Sequence, residues 1–392
     1  MRDHLAKVKE PAAVPSSPQD EPLFSVVIPT RNRWDTLVGV VDAMLASPEP
    51  DFEVVVHDNS DRDGLAALLP DDPRLRFFRT SDPLNMHQNF DRALLEARGH
   101  YAICLGDDDA LRPELTALVL RDARERGFDA VLSGVDSYYW PGLRHWHWGE
   151  VGGSLERAAL SALPRQRTID VAAELRDVMR QGVTGGLGLL PRVYQGFASR
   201  RVLDRLRETC GTCFPGASPD MANAVGLAAF VDTMLWDDRS LVISGHSPRS
   251  GGGQGAAGKH HGKLEDQPHL PPETVAQWNP ASPRFWSGRT VYAQSACEAL
   301  RASGHPAPPP LAAPRLLAAC LVYEPAEYRL AILAAARQDG RPLIAVGLAV
   351  GAAAVKMLAQ RARAFIGNYL RYRLRPAQQT RYESMSEVLR AA

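Results

Sequence analysis

Three successive aspartates, Asp107, Asp108 and Asp109, follow directly on the apolar run Tyr101 to Leu105. Carboxylates packed at the tip of a buried strand repel one another, so either a cation sits among them or some of them take up protons. Hard divalent ions such as Mg2+ and Mn2+ take oxygen donors of this kind. Bound there, they act as Lewis acids on a phosphoryl group that is leaving with negative charge. Cleavage of a nucleotide-diphosphate sugar leaves such a charged diphosphate, so the triplet suits that chemistry. An acidic run standing alone is equally a solvated turn, and its place in the fold has to decide.

The elements that would position it alternate. The β-rich runs Phe24 to Pro29, Phe52 to His57, Leu75 to Arg79 and Tyr101 to Leu105 are separated by helical periods. One period carries Trp34, Leu37, Val38, Val41, Met44 and Leu45; another carries Met86, Phe90, Ala93, Leu94 and Ala97. The order β-α-β-α-β-α-β predicts an α/β fold, a mostly parallel sheet flanked by helices. In such sheets ligands bind at the carboxyl ends of the strands. The clusters Thr30-Arg31-Asn32, Asp58-Asn59-Ser60-Asp61 and Gly106-Asp107-Asp108-Asp109 are therefore expected to meet in one crevice. A further strand, Asp129 to Val135, leads into Tyr138, Tyr139, Trp140, Trp146 and Trp148, whose rings would either stack on sugar faces or simply bury area.

Phe24-Ser25-Val26-Val27-Ile28-Pro29-Thr30-Arg31-Asn32-Arg33 resembles the first strand of family 2 glycosyltransferases, and Glu53 to Asp61 resembles their second-strand motif. Ala97 to Asp109 is similar to their helix, strand and D-x-D metal motif. The resemblance covers residues 24 to about 114 and implies a GT-A (nucleotide-diphospho-sugar transferase) fold, inverting sugar transfer and a Mn2+ or Mg2+ cofactor. It further implies that Pro29, Thr30, Asn32, Asp58, Asp107 and Asp108 face the nucleotide, with Asp58 accepting from the base ring. Asp107 and Asp109 would flank the metal, Asp109 more directly. Two departures stand out: His57 where the family often has an acid, and Gly106 where many members begin the acidic motif.

Inversion needs a base to deprotonate the incoming hydroxyl. The candidate is Asp220 in Gly216-Ala217-Ser218-Pro219-Asp220-Met221. The same residues also read as an ordinary helix start, with Ser218 at the cap and Pro219 at the first helical position. His246 would complete a metal shell or be a surface-loop histidine. Gly185-Gly186-Leu187-Gly188 and Tyr194-Gln195-Gly196 would shape the acceptor side or be plain turns. Cys210-Gly211-Thr212-Cys213 copies a redox or zinc half-site without the surrounding pattern either would need, and is read as structural.

Lys plus Arg equals Asp plus Glu at 45 each, which provides no basic surplus for nucleic acid. Five scattered cysteines point to a reduced, cytoplasmic setting. The expected divisions are 1–22, a disordered lead; 23–136, a nucleotide-sugar-binding half; 137–265, an acceptor-binding half with a mobile Gly-rich loop at 246–255; and 266–392, a helical region with a basic amphipathic tail. From Arg341 to Tyr382 there is no acid, while Arg341, Lys356, Arg361, Arg363, Arg371, Arg373, Arg375 and Arg381 interleave with apolar residues. That pattern suits the surface of an anionic membrane on its inner face, or a helix packed on the catalytic part. Leu343 to Leu358 contains Lys356 and falls short of the ~20 residues needed to span.

The function expected is metal-dependent inverting transfer of a sugar, from a nucleotide diphosphate donor with uridine favoured, to a glycan, lipid-linked or small-molecule hydroxyl in polysaccharide or glycoconjugate assembly. The alternative is a nucleotide-sugar- or glycan-binding protein that kept the fold without turnover. Sugar-nucleotide pyrophosphorylases share the sheet but need a glycine-rich loop where Thr30-Arg31-Asn32-Arg33 stands.

Overall fold

The computed structural model describes residues 21–145, 149–158, 165–250, 261–267, 270, 272–305, 308–338, 342–373 and 381–391. The lead at 1–20, Trp146, Trp148, His260 and most of the Gly-rich loop lie outside these residues.

The first four strands and intervening helices follow the sequence pattern: β1 (Phe24–Thr30), α1 (Trp34–Leu45), β2 (Phe52–Asp58), β3 (Leu75–Arg79), α2 (Met86–Leu95) and β4 (Tyr101–Cys104). A two-residue strand β5 (Ala110–Leu111) and helix α3 (Pro113–Glu125) lead to β6 (Ala130–Tyr139). Short strands β7 (Arg144–His145), β8 (Gly149–Glu150), β9 (Leu155–Glu156) and β10 (Gln166–Thr168) precede α4 (Val171–Arg180). Then come β11 (Phe197–Ser199), α5 (Arg200–Cys210), α6 (Pro219–Leu227) and the long β12 (Met234–His246).

The main sheet runs β10-β12-β6-β11-β4-β1-β2-β3. β1, β2, β3 and β4 are parallel, as are β6 and β12, while β11 and β10 are inserted antiparallel. The sheet is mostly parallel and helix-flanked, as expected.

Alternating side chains divide the core into two layers, because successive residues of a strand point to opposite faces. Phe24, Val26, Ile28, Val54, Val56, Tyr101 and Ile103 pack with α1 and α3. Val27, Val55, Ala102 and Cys104 pack with α2 and α5. Both faces are covered, which explains why β1 and β2 are buried at every position and read as unbroken apolar runs.

Register sets the site. Thr30 lies opposite Asp58 in β1/β2, and Val27 lies opposite Cys104 in β1/β4. Three residues beyond that last pair, Thr30 and Asp107 are level. The loops after β1, β2 and β4 thus emerge along one line.

The rest is helical: α7 (Pro272–Ala276), α8 (Gly288–Ala302), α9 (Ala313–Tyr323), α10 (Arg329–Arg337), α11 (Leu343–Arg373) and α12 (Met385–Arg390), with a β13/β14 pair (His261–Gly262 and Trp286–Ser287). α12 returns to the first layer, where Met385 and Val388 are buried against α1. The Tyr138 hydroxyl donates to the Tyr382 carbonyl at 3.0 Å, fixing the start of that return. Met385→Ala should therefore cost roughly 2–5 kcal/mol in urea unfolding, whereas Leu358→Ala at an exposed position should stay within about 0.5 kcal/mol.

Candidate active site

Each expected cluster arrives at one place. Thr30 Oγ1 donates to Asp107 Oδ2 at 2.8 Å, joining the β1 and β4 loops. Asn32 ties the β1 loop to the β2 loop: its amide nitrogen donates to Asp61 at 2.7 Å, and its oxygen accepts from the Asp61 backbone at 3.1 Å. Asn32 holds φ 60°, a left-handed conformation that asparagine tolerates better than most residues. Pro29 lies one residue before Thr30 in β1, opposite His57.

The triplet itself is at most 3% exposed. Arg33 lies across it: one guanidinium nitrogen is 2.8 Å from Asp107 Oδ1, the other 3.0 Å from Asp108 Oδ2 and 2.9 Å from the Ser247 hydroxyl. Burial opposes the Arg33 charge, but attraction to Asp107 and Asp108 outweighs it and raises the pKa. Burial also pushes Asp107 up to about 7 against the pull of Arg33 and Thr30. Asp109 is likewise pushed up to about 7, by burial first and by the Asp108 charge second.

Asp109 is fully engaged. Its Oδ1 accepts from Gly245 N at 2.7 Å; its Oδ2 accepts from Gly106 N at 3.0 Å, the Tyr194 hydroxyl at 3.2 Å and the Gln195 amide at 3.2 Å. Asp108 Oδ2 accepts from Ser247 N at 3.0 Å. The Gly245 and Ser247 amides belong to the end of β12 and the residue just beyond it. A Cβ at Gly245 would stand 1.8 Å from the Asp108 carbonyl oxygen, so only glycine allows this approach. Gly106 is similarly confined, since a Cβ there would lie 3.1 Å from Asp108 Oδ1. The residue missing from the acidic motif stands where space is short.

His246 lies between Gly245 and Ser247, and its ring stacks on Tyr139 with centroids 5.0 Å apart. Burial lowers its pKa, favouring the neutral imidazole. Trp140 donates its indole N–H to the Asp108 carbonyl at 3.0 Å, so part of the aromatic tract belongs to this site.

Among the described residues, no group of three or more His, Cys, Asp or Glu side chains is arranged to hold a metal ion. The donor chemistry nevertheless fits a hard cation. Asp107 Oδ1 is buried and has no hydrogen bond, although the Arg33 charge is close by. As the site stands, oxygen capacity for a cation lies on Asp107 and Asp108 rather than on Asp109.

Asp58 has a comparable opening. Its Oδ1 accepts from Ser60 N at 2.9 Å, while Oδ2 is fully buried with no hydrogen-bond partner and lies 3.6 Å from Arg79. His57 instead bonds Asn89 at 2.6 Å and Thr80 at 3.0 Å, and burial lowers its pKa.

Residues 25–172 match the profile described as Glycosyl transferase family 2. This part of the chain is similar to family 2 glycosyltransferase domains. No curated protein matches the chain. Among solved structures, S. aureus TarS residues 1–349 is similar at 14% identity and a TM-score of 0.42, over 57% of this chain and 60% of that one. Its complexes with UDP and with UDP-GlcNAc are each 16% identical, with TM-scores of 0.39 and 0.42 and coverage of 61% and 59% of the TarS chain. The chain thus spans less than two thirds of the length of these structures.

Downstream of the matched residues 25–172, Asp220 lies in the first turn of α6, partly exposed. Its Oδ2 accepts from the Tyr292 hydroxyl at 2.8 Å and Oδ1 from the Ser218 hydroxyl at 3.2 Å. Ser218 makes no side-chain cap bond to the helix backbone. The Tyr194 hydroxyl feels both Asp109 and Asp220, which after burial raise its pKa, so the two acids share one neighbourhood. Gly185 to Gly188 lie between α4 and this region, with Gly186 and Gly188 at positive φ. Cys213 is buried and unpaired, its thiol pushed up to about 12 by burial, which suits the structural reading.

Sequence reasoning did not single out Arg33 or Ser247 as parts of the site, and it set Gln195 on the acceptor side or in a plain turn, not against Asp109. Gln195 is held at φ 57°, and its backbone amide donates to the Cys104 carbonyl at 3.1 Å, which aims its side chain at Asp109. A second cation two residues after the Arg31 of the first-strand motif was the visible signal for Arg33.

Asp107 and Asp109 hold protons more tightly in the folded chain, near 7, than in the unfolded one. The folded state therefore binds more protons between those values, and the stability due to these groups is full below about pH 4 and lost as pH rises through about 7. Urea midpoints of the ligand-free protein at about pH 5 and about pH 7.5 should show this loss, and Asp109→Asn should flatten it.

Proposed function

We propose that this protein transfers a sugar, with inversion, from a nucleoside diphosphate donor to an acceptor hydroxyl. What supports this above all is the meeting of the β1, β2, β4 and β12 ends on a buried acidic triplet in a segment similar to family 2 glycosyltransferase domains.

The nucleotide would lie along the strand tips. Asp58 Oδ2, buried and without a hydrogen bond although Arg79 is 3.6 Å away, can accept from the ring N–H of a base. Uracil and guanine carry such an N–H; neutral cytosine and adenine do not, so uridine is favoured over cytidine. Thr30 and Asn32 hold the loop that flanks the ribose and diphosphate. A divalent cation would be held by Asp107 and Asp108, with Asp109 pinned behind them and His246 alongside, and would supply positive charge to the leaving diphosphate. Among the described residues Arg33 is the cationic side chain that bridges Asp107 and Asp108, and it would turn to the phosphates when they arrive.

Asp220 is the group for the acceptor proton. The Tyr292 hydroxyl holds the carboxylate in place, and its partial exposure leaves room for an acceptor. A positioned base of this kind contributes about 10²- to 10⁴-fold in rate. The acceptor class is left to a glycan or lipid-linked hydroxyl.

Hydrolysis or transfer from a set of nucleotide sugars in Mn2+ tests the proposal. At least one donor should release its nucleoside diphosphate, and Asp220→Asn should lower kcat by about 10²- to 10⁴-fold with donor KM nearly unchanged. Donor binding without cleavage under any acceptor supplied would instead make this a binding protein. Asp58→Asn should weaken UDP more than CDP; equal effects would remove Asp58 from base recognition.

A further inference from the structure

Helix α11, Leu343–Arg373, presents two apolar faces. At 3.6 residues per turn, Val346, Val350 and Met357 share one side, and they pack with Leu316, Leu317 and Cys320 of α9. Ile344, Leu348, Val355, Leu358 and Ile366 fall in a sector about 80° wide on the opposite side. They are open to solvent, Ile344 at 79% and Leu348 at 72%. Within Leu343–Gly367 an 18-residue window has a mean hydropathy of 1.8, and only 17% of that window is buried. Continuous apolar surface of this extent marks a contact with something else.

We infer that the outward face of α11 lies in the plane of an anionic lipid bilayer. Its border is cationic: Lys356 and Arg363 lie on one edge of the apolar sector, placed so that their stems run along the lipid while their charges reach the headgroups. Arg361 on the other edge is turned inward, donating to the Val322 carbonyl at 2.9 Å and lying over the Tyr323 ring. No acid occurs from Arg341 to Tyr382. A second copy of the chain would bring one basic border against another with no carboxylate between them, which charge disfavours; anionic headgroups complement both. Beside the helix, Arg176, Arg180 and Arg315 line an open groove together with Lys356, and although Asp177 there pairs with Arg180, the lining stays net positive.

The helix lies on the bilayer and does not cross it. Its inner face is occupied by α9 over the first half, and the chain after it returns to the catalytic core through Tyr382, Met385 and Val388. Both ends are thereby tied to the same folded body, whereas a crossing helix would put them on opposite sides. The sequence alone left the basic tail either on a membrane or packed on the catalytic part; in the fold one face of one helix packs on α9 and the opposite face is the one inferred to meet lipid.

Truncation before α11 would also strip Met385 and Val388 from the core, so point variants are the proper test. The full chain is mixed with vesicles of phosphatidylcholine alone or with phosphatidylglycerol added, floated on a density gradient, and sized without lipid by gel filtration. The wild type should float only with the anionic vesicles and less so at high salt, and Leu348→Glu/Val355→Glu should lower the bound fraction about ten-fold or more while thermal unfolding stays unchanged. Lys356→Gln/Arg363→Gln should weaken binding to a smaller degree. Absence of wild-type flotation, equal flotation of the Glu variant, or a wild-type dimer that this variant converts to monomer would overturn the inference. None of these outcomes bears on donor cleavage, which is read separately.

Discussion

Asp107, Asp108 and Asp109 carry three carboxyl groups into a volume at most 3% exposed, and a fold can hold them there only by supplying positive charge, hydrogen-bond donors or protons. All three occur together. Arg33 pairs with two of the acids, backbone amides of Gly106, Gly245 and Ser247 point at two, and burial lifts Asp107 and Asp109 to about 7. Under the proposed function, a diphosphate that brings its own cation would supply further positive charge to such a site.

The same constraint accounts for much of the architecture. The end of β12 must approach β4 closely enough to offer amides, which forces glycine at 245. Tyr194 and Gln195 must be turned toward Asp109, and the price is a left-handed Gln195. The β1 loop must reach both the β2 loop and the triplet, which it does through a left-handed Asn32 and through Thr30. Two of the three described non-glycine residues with positive φ thus stand at the site, where such conformations tend to be kept for function.

The first half of this arrangement was legible in the residues. β1 to β4 are short apolar runs between helical periods, and their carboxyl ends coincide with the polar clusters because a parallel sheet leaves no other place for them. What escaped were the pieces joined over long separations. The Arg33 to Ser247 bond spans 214 positions and leaves no local trace in either segment. β12 was visible only at Leu241 to Ser244, since Asp237, Asp238 and Arg239 break the apolar pattern where the strand is irregular. The antiparallel β11 has three residues, too few to show a period. For Asp220 the sequence offered a capping role and a catalytic role; its actual partner, the Tyr292 hydroxyl, comes from an element 72 positions away and leaves no local trace.

The central claim is that the buried triplet receives the diphosphate of a nucleotide. Calorimetric titration of UDP into the full chain in Mn2+, beside Asp107→Asn, tests it most directly, because that change keeps the shape and the contact to Thr30 while removing charge. Saturable binding by the wild type, weakened about ten-fold or more in the variant, is the result predicted. Equal affinity in the two proteins, or no binding of any nucleoside diphosphate to the wild type, would contradict the account.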